Sequence, residues 1–91
     1  MAKLPFGPSI IPTPTSSNVH GFYWLPRRQA ASDQPELHVF FKSKLREGQY
    51  ASHYVYINVS ENIYDEFFSA TSKGKFVHQI LSKLCKYQRL S

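Results

Sequence analysis

Cysteine and long apolar runs are both scarce in this chain. It has one cysteine, Cys85, among 91 residues, which excludes an internal disulfide and a cysteine-based metal cluster. No apolar run is long enough for a signal peptide or a membrane span. We therefore expect a cytoplasmic protein with no membrane partner, no cofactor and no metal site.

Acidic residues are also few, since six Asp and Glu stand against eleven Lys and Arg and the formal net charge is +5. The asymmetry is concentrated in residues 71–91, which contain no acid. This segment carries five basic residues, Lys73, Lys75, Lys83, Lys86 and Arg89. Such a segment attracts a phosphate backbone or an acidic protein surface, and the plain alternative is a solvated helix face.

Aromatic residues are abundant, with seven Phe, six Tyr and one Trp. Large rings compensate for the small core of a short domain, so most of them are expected to be buried. Residues 1–15 hold four of the six prolines and read as a flexible arm, which leaves residues 16–91 as the folded domain. Within that domain, three segments have strand-like composition: residues 19–25, 36–43 and 50–59.

In the second and third segments, side chains of similar character recur at every second residue, as expected for strands with two different faces. Leu37, Val39 and Phe41 share one face of the second segment, and His38, Phe40 and Lys42 share the other. In the third segment, Tyr54 and Tyr56 lie on the face opposite His53, Val55 and Ile57. Short connections favour an antiparallel meander.

After the third segment, the apolar residues recur at the spacing of an α-helix. Ser60 is a predicted N-cap, and Ser72 is a second one. The first helix has its apolar face at Ile63, Tyr64, Phe67 and Phe68, and the second at Phe76, Val77, Ile80, Leu81 and Leu84. The predicted fold is α+β: a three-stranded antiparallel meander, with residues 87–90 as a candidate short fourth strand, packed against two C-terminal helices.

Several short motifs occur in a characteristic order. They are Leu37-x-Val39-x-Phe41, Tyr54-x-Tyr56-x-Asn58, Ser72-Lys73-Gly74-Lys75-Phe76 and Tyr87-x-Arg89-Leu90. From about residue 16 to residue 90 this order resembles the KTSC domain, named for its place at the C-terminus of some lysyl-tRNA synthetases and found as small stand-alone proteins in bacteria and phages. No activity is established for this family, and its attachment to a tRNA synthetase suggests RNA binding. Val77 and His78 differ from the family, which commonly has an aromatic residue and an Asn there.

Two groups of residues are candidates for nucleic-acid binding. The start of the second helix offers free N–H groups beside Lys73, Gly74 and Lys75, which suits an anion. Tyr54 and Tyr56 share a strand face and could stack on unpaired bases. The alternatives are structural: Gly74 permits close packing, the lysines are solvated, and the tyrosines lie beneath the helices.

No set of residues indicates catalysis or metal binding. Of the histidines, His38 and His53 are expected to oppose each other on neighbouring strands, but two imidazoles alone do not complete a zinc site. Cys85 has no histidine at helical spacing, and no nucleophile–base–orienter set is apparent. We expect that the protein is not an enzyme.

The leading hypothesis is a small RNA-binding module that uses its basic C-terminal helix. The alternative is a protein-interaction factor, such as a phage-encoded modulator or inhibitor of a host protein or defence complex, acting through the loops that carry Arg27, Arg28, Lys44 and Arg46. The protein is expected to be a monomer or a homodimer, and a dimer would use a patch formed by Phe22, Trp24 and Phe40.

Overall fold

The structure is a computed structural model that describes residues 10–13, 18–43, 45 and 49–91. It is an α+β fold, as predicted. The sheet has five antiparallel strands rather than three or four, and they lie side by side in chain order. The strands are β1 (Ile11–Pro12), β2 (Val19–Leu25), β3 (Glu36–Lys42), β4 (Tyr50–Ile57) and β5 (Lys86–Arg89).

The extra strands lie at the two edges of the sheet. β1 falls within the segment predicted as an arm and pairs Ile11 with Phe22 and Pro12 with Gly21 of β2. A side chain at Gly21 would stand 2.4 Å from Cγ2 of Ile10 and 2.9 Å from the carbonyl oxygen of Ile11. Gly21 therefore allows β1 to approach β2 closely. β5 is the predicted C-terminal strand, and it pairs with β4.

Two helices follow β4. The first, α1 (Glu61–Ser69), begins at the predicted cap, where the Ser60 side chain accepts a hydrogen bond from the backbone N–H of Ile63. The second, α2 (residues 73–84), is not uniform. It consists of an α-helical turn (Lys73–Phe76), a π-helical stretch (Val77–Leu81) and an α-helical end (Ser82–Leu84). In the π-helical stretch the N–H of Ser82 reaches back to the carbonyl of Val77.

Both helices cover one face of the sheet. Phe22 packs edge-on against Phe67 of α1 at 4.9 Å between ring centroids, and Trp24 stacks on Tyr64 at 5.3 Å. The indole N–H of Trp24 also donates to the carbonyl of Val59 at 2.9 Å. The buried core between sheet and helices consists of Val19, Phe22, Leu37, Val39, Tyr56, Val59, Phe67, Phe76, Val77, Leu81 and Cys85.

We call the opposite side of the sheet the far face; it carries Tyr23, Glu36, His38, Phe40, His53 and Val55. Of the residues that the structure describes, none in a helix belongs to it. Its centre is nevertheless buried, because rings cover one another: Phe40 contacts Tyr50 and His53, and Tyr23 covers His38.

Two expectations about apolar side chains are wrong. Phe22, Trp24 and Phe40 do not form one exposed patch, since Phe22 and Trp24 lie under the helices and Phe40 lies on the far face; Phe22 is 1% exposed and Phe40 is 5% exposed. In α2, Leu84 is 66% exposed and Cys85 is buried in its place. The π-helical stretch has more residues per turn than an α-helix, and it moves the buried stripe one residue along the chain.

Candidate functional site

A cleft of about 410 Å³ opens between the β4–β5 end of the sheet and α2. Its walls come from β3, β4 and β5 on one side and from the π-helical stretch and the residue after it on the other. The lining residues are Asn18, Phe41, Lys42, Ser52, Tyr54, Tyr56, His78, Ser82 and Tyr87.

Three tyrosines form the floor of the cleft because strand alternation places them on the helix side of the sheet. Tyr54 and Tyr56 are two residues apart in β4, and Tyr87 of β5 is the register partner of Tyr56. Their ring centroids are 6.5 Å apart for Tyr54 and Tyr56, and 5.5 Å apart for Tyr56 and Tyr87. Phe41 adds an edge-on contact to Tyr54 at 5.6 Å. The cleft therefore has a continuous aromatic surface.

The exposure of these rings is graded. Tyr56 is buried, Tyr54 is half-buried and Tyr87 is 53% exposed. Burial, with the neighbouring Tyr54 and Tyr87 phenols, raises the pKa of Tyr56 to about 12. Tyr56 is therefore a neutral phenol at physiological pH, and its hydroxyl can both donate and accept a hydrogen bond.

The wall opposite the tyrosine floor is formed by the π-helical stretch of α2 and by Ser82, the residue after it. His78 and Ser82 both line the cleft, and His78 lies parallel to Phe41 at 6.5 Å between ring centroids. Single π turns inside α-helices often occur at functional sites, because they redirect side chains that a regular helix would place elsewhere.

The charged groups around the cleft are basic. Strict alternation would place Lys42 on the far face. The register of β3 and β4 shifts between Phe41 and Lys42, however, and both of these residues line the cleft. Arg89 is the register partner of Tyr54, on the helix side of the sheet, and is exposed. No acidic residue of the described part of the chain lines the cleft. The site can hold a flat, uncharged ring next to an anionic group.

A family model, the KTSC domain, matches residues 31–83, which is more than half of the chain. The chain belongs to the KTSC domain family. The matched segment holds β3, β4, α1 and most of α2, so it includes the cleft residues from Phe41 to Ser82, whereas Tyr87 and Arg89 lie beyond it. No curated protein and no solved structure matches the chain significantly.

In this KTSC domain the start of α2 is engaged in internal contacts. The ammonium group of Lys73 donates to the carbonyl oxygens of Phe68 at 3.0 Å and Ala70 at 3.1 Å, where α1 ends. The Ser72 side chain accepts from the N–H of Lys75, and Gly74 is buried against Asn18. Lys73 therefore joins the two helices, Ser72 caps α2, and Gly74 allows close approach of Asn18.

The other predicted basic residues are spread over several surfaces. Lys75 and Lys83 are exposed on α2, and Arg27 and Arg28 are exposed in a 3₁₀ turn (Arg27–Gln29). Lys86 is opposite Ile57 in the register, so it lies on the far side of the sheet from Tyr56. Lys44 and Arg46 lie outside the described residues. Of the predicted set, Tyr54 and Tyr56 line the cleft, and Arg89 lies opposite Tyr54 on the same side of the sheet without being a lining residue.

The far face of the KTSC domain holds a chain of three titratable side chains. Nδ1 of His38 is 2.8 Å from Nε2 of His53, and Nε2 of His38 is 2.8 Å from Oε1 of Glu36. The other carboxylate oxygen of Glu36 accepts the backbone N–H of Ser32 at 2.9 Å. The sequence indicates the histidine pair but not Glu36, although Glu36 precedes His38 by two residues on the same strand face.

Among the described residues, no group of three or more His, Cys, Asp or Glu has the arrangement of a metal site. No helix in the described ranges is long and apolar enough to span a membrane.

Proposed function

We propose that this KTSC domain binds single-stranded RNA, with a base in the cleft and the adjacent phosphates against Lys42 and Arg89. The observation that carries the proposal is the juxtaposition of the tyrosine floor with basic groups and no acid among the described lining residues. This role is compatible with the cytoplasmic location expected from the sequence.

Stacking of a base on an aromatic ring contributes binding energy that depends little on which base is bound. A base on an aromatic side chain contributes about 1–3 kcal/mol, and Tyr87 is the most exposed ring of the tyrosine floor. The base can also form hydrogen bonds with polar side chains that border the tyrosine floor, namely Ser52, His78 and Ser82. The phosphates supply the salt-dependent part.

The test is fluorescence anisotropy with labelled single-stranded oligoribonucleotides at several salt concentrations. Tyr87→Ala is expected to weaken binding about 10- to 100-fold, which corresponds to the loss of one stack. Arg89→Ala is expected to lower the salt slope by about 0.7, the share of one phosphate contact on a single strand. Arg28→Ala is the matched control, because this exposed arginine lies on a turn that does not line the cleft.

Two outcomes overturn the proposal. The first is no binding of the wild-type protein at low salt. The second is equal weakening by Arg28→Ala and Arg89→Ala with no effect of Tyr87→Ala, since that pattern is diffuse electrostatic attraction without a base site.

A protein-interaction role is the second candidate, and the loop before β3 favours it. Arg27 and Arg28 are exposed there, and a shallow pocket next to them includes Asp33 and Asn58, the two described non-glycine residues with positive φ. Loops on a rigid sheet commonly carry partner contacts. In nuclease-treated pull-downs, this role predicts a stoichiometric protein partner whose capture Arg28→Ala abolishes and Tyr87→Ala does not change.

A further inference from the structure

The hydrogen bonds of Glu36, His38 and His53 determine where their protons lie. Glu36 accepts one hydrogen bond from the Ser32 N–H and a second from His38, so the Nε2 of His38 carries a proton. In neutral His38, Nδ1 is then a lone pair, and it can only accept from the Nε2–H of His53 at 2.8 Å. The remaining nitrogen of His53, Nδ1, is therefore a lone pair as well.

Aromatic stacking holds both imidazoles in place. Tyr23 stacks on His38 with 4.5 Å between ring centroids and an interplanar angle of 13°. Phe40 stacks on His53 at 4.1 Å and 20°. Each ring is fixed in orientation by one stack and by the hydrogen bonds along its edge, which is the preorganisation that a reactive group requires.

Nδ1 of His53 is the accessible end of this chain. It has no hydrogen-bond partner among the described residues, and no side-chain nitrogen or oxygen there is both buried and unpaired, so this atom reaches solvent. Burial, and then the neighbouring His38, lower the pKa of His53. Its imidazole is therefore neutral at neutral pH, with the lone pair available.

We propose that the far face carries a nucleophilic site, in which Nδ1 of His53 attacks activated acyl groups such as esters and thioesters while His38 and Glu36 position it and receive its proton. A nucleophile, a base that contacts it and a group that orients the base form the arrangement used in covalent catalysis. This goes beyond RNA binding and does not depend on it, and it departs from the expectation that the protein is not an enzyme.

The reaction balances with water as the second reactant. The Nδ1 lone pair forms a bond to the acyl carbon, the bond from that carbon to the leaving oxygen or sulfur breaks, and the leaving group departs with the electron pair. The Nε2 proton of His53 passes to Nδ1 of His38, whose positive charge is stabilised by Glu36. Water then attacks the acyl-imidazole: its hydroxyl completes the carboxylic acid, the bond from the acyl carbon to Nδ1 breaks, the proton on His38 returns to Nε2 of His53, and the second water proton passes to the departed leaving group.

The surroundings favour an acyl donor over a phosphoryl donor. The rings of Tyr23, Phe40 and Tyr50 form an apolar surface, and Glu36 would repel a phosphate. Glu36 and Tyr23 contact the histidine pair, Tyr50 and His20 lie beyond Phe40 in the same ring cluster, and Lys86 is opposite Ile57 towards the end of β4.

The first test measures hydrolysis of p-nitrophenyl acetate at neutral pH. Wild-type protein is expected to react at least about tenfold faster per molecule than free histidine, a modest share of what positioned acid–base groups contribute. His53→Gln should reduce the rate to that of the control reaction. His20→Gln is the matched control, because this half-buried histidine of β2 lies against Tyr50 and belongs neither to the cleft nor to the histidine pair.

The roles of Glu36 and His38 as positioning residues need a readout beyond the rate. In Glu36→Gln the imidazolium loses its carboxylate, so the midpoint of the pH–rate profile should move to lower pH and the plateau should fall. Circular dichroism establishes that each variant is folded. An unchanged profile in folded Glu36→Gln would remove the relay from the proposal.

A second test needs no variant. Wild-type protein is treated briefly with diethyl pyrocarbonate, and the modified histidines are mapped by peptide mass spectrometry. His53 is expected to react ahead of the exposed His78. Faster modification of His78, or hydrolysis no faster than with free histidine, overturns the proposal.

Discussion

Lys73 and Lys75 are separated by one residue, yet they have different surroundings. Lys73 is half-buried, donates to two carbonyl oxygens near the end of α1, and its ammonium group lies 5.7 Å from the centroid of the Phe67 ring. Lys75 is exposed. Carbonyl groups at a helix end lack intrahelical partners and carry the negative end of the helix dipole, so a cation there is stabilising.

At the residue scale, Lys73→Met is expected to lower the free energy of unfolding by about 1–2 kcal/mol, because it leaves these carbonyls without a charged donor. Lys75→Met should change it by less than about 0.5 kcal/mol. Urea denaturation followed by the fluorescence of Trp24, the only tryptophan, measures both. Equal effects of the two substitutions would contradict the capping role of Lys73.

The period-two alternation of the strands predicts the face of some residues correctly and of others wrongly. Alternation correctly places Tyr54 and Tyr56 opposite His53 and Val55 in β4. It does not place Lys42, because a β-bulge interrupts the period at that point. A bulge is a property of two paired strands, so the sequence of one strand does not predict it.

The π-helical stretch is the feature of α2 with the widest consequences. It directs His78 and Ser82 to the cleft, and it makes Cys85 part of the core while Leu84 points outward. A helical period of 3.6 residues predicts the opposite for Leu84. The difference arises because the π-helical stretch changes the number of residues per turn, and the apolar period of the sequence contains no signal for it.

At the element scale, this geometry predicts an unusual order of mutational effects. Leu84→Ala removes more atoms but should cost less than about 0.5 kcal/mol, since the side chain is exposed. Cys85→Ala should cost about 1 kcal/mol, because it opens a small cavity in the core. Thermal unfolding of the two variants gives the order directly, and a larger loss for Leu84→Ala would exclude the shifted stripe.

The reactivity of the Cys85 thiol provides a control for that experiment. Burial raises the pKa of Cys85, so little thiolate is present and labelling of the native protein should be slow. Rapid labelling without denaturant would contradict its burial.

Taken as a whole, the molecule places different chemistry on the two sides of one sheet. The helix side holds the core and the tyrosine cleft, and the far face holds Glu36, His38 and His53 in direct hydrogen-bond contact. β4 contributes to both sides, with Tyr54 facing the cleft and His53 facing away from it. The two proposed activities can therefore be separated by substitutions on alternate residues.

At the whole-molecule scale, the far face makes stability depend on pH. Burial alone would raise the pKa of Glu36, but hydrogen bonds from Ser32 and His38 outweigh it and leave that pKa lowered. The pKa of His53 is lowered too, by burial and by His38. A lowered pKa means that the fold favours the deprotonated form, so stability is present above the usual pKa and is lost as the pH falls.

The wild-type protein is therefore expected to lose more unfolding free energy than His53→Gln as the pH falls from about 6.5, the usual histidine pKa, to about 5. Glu36→Gln should be less stable than the wild type above the usual carboxylate pKa of 4.5, and the wild type should lose this advantage as the pH falls below that value. Urea titrations at fixed ionic strength across this range measure the slopes. Parallel slopes for wild type and His53→Gln would show that this histidine is not coupled to folding.

The sequence alone determined the α+β class, the three central strands and their faces, both helix caps and the family. These follow from local rules, because side-chain period, cap chemistry and motif order are properties of neighbouring residues. Tertiary structure alone decided the N-terminal edge strand β1, the π-helical stretch, the cleft that Tyr87 helps to form, and the contact of Glu36 with His38. β1 and the cleft depend on distances between segments far apart in the chain, which are fixed when the strands pair and the helices pack on them, and the other two depend on side-chain and turn geometry that the packed structure selects.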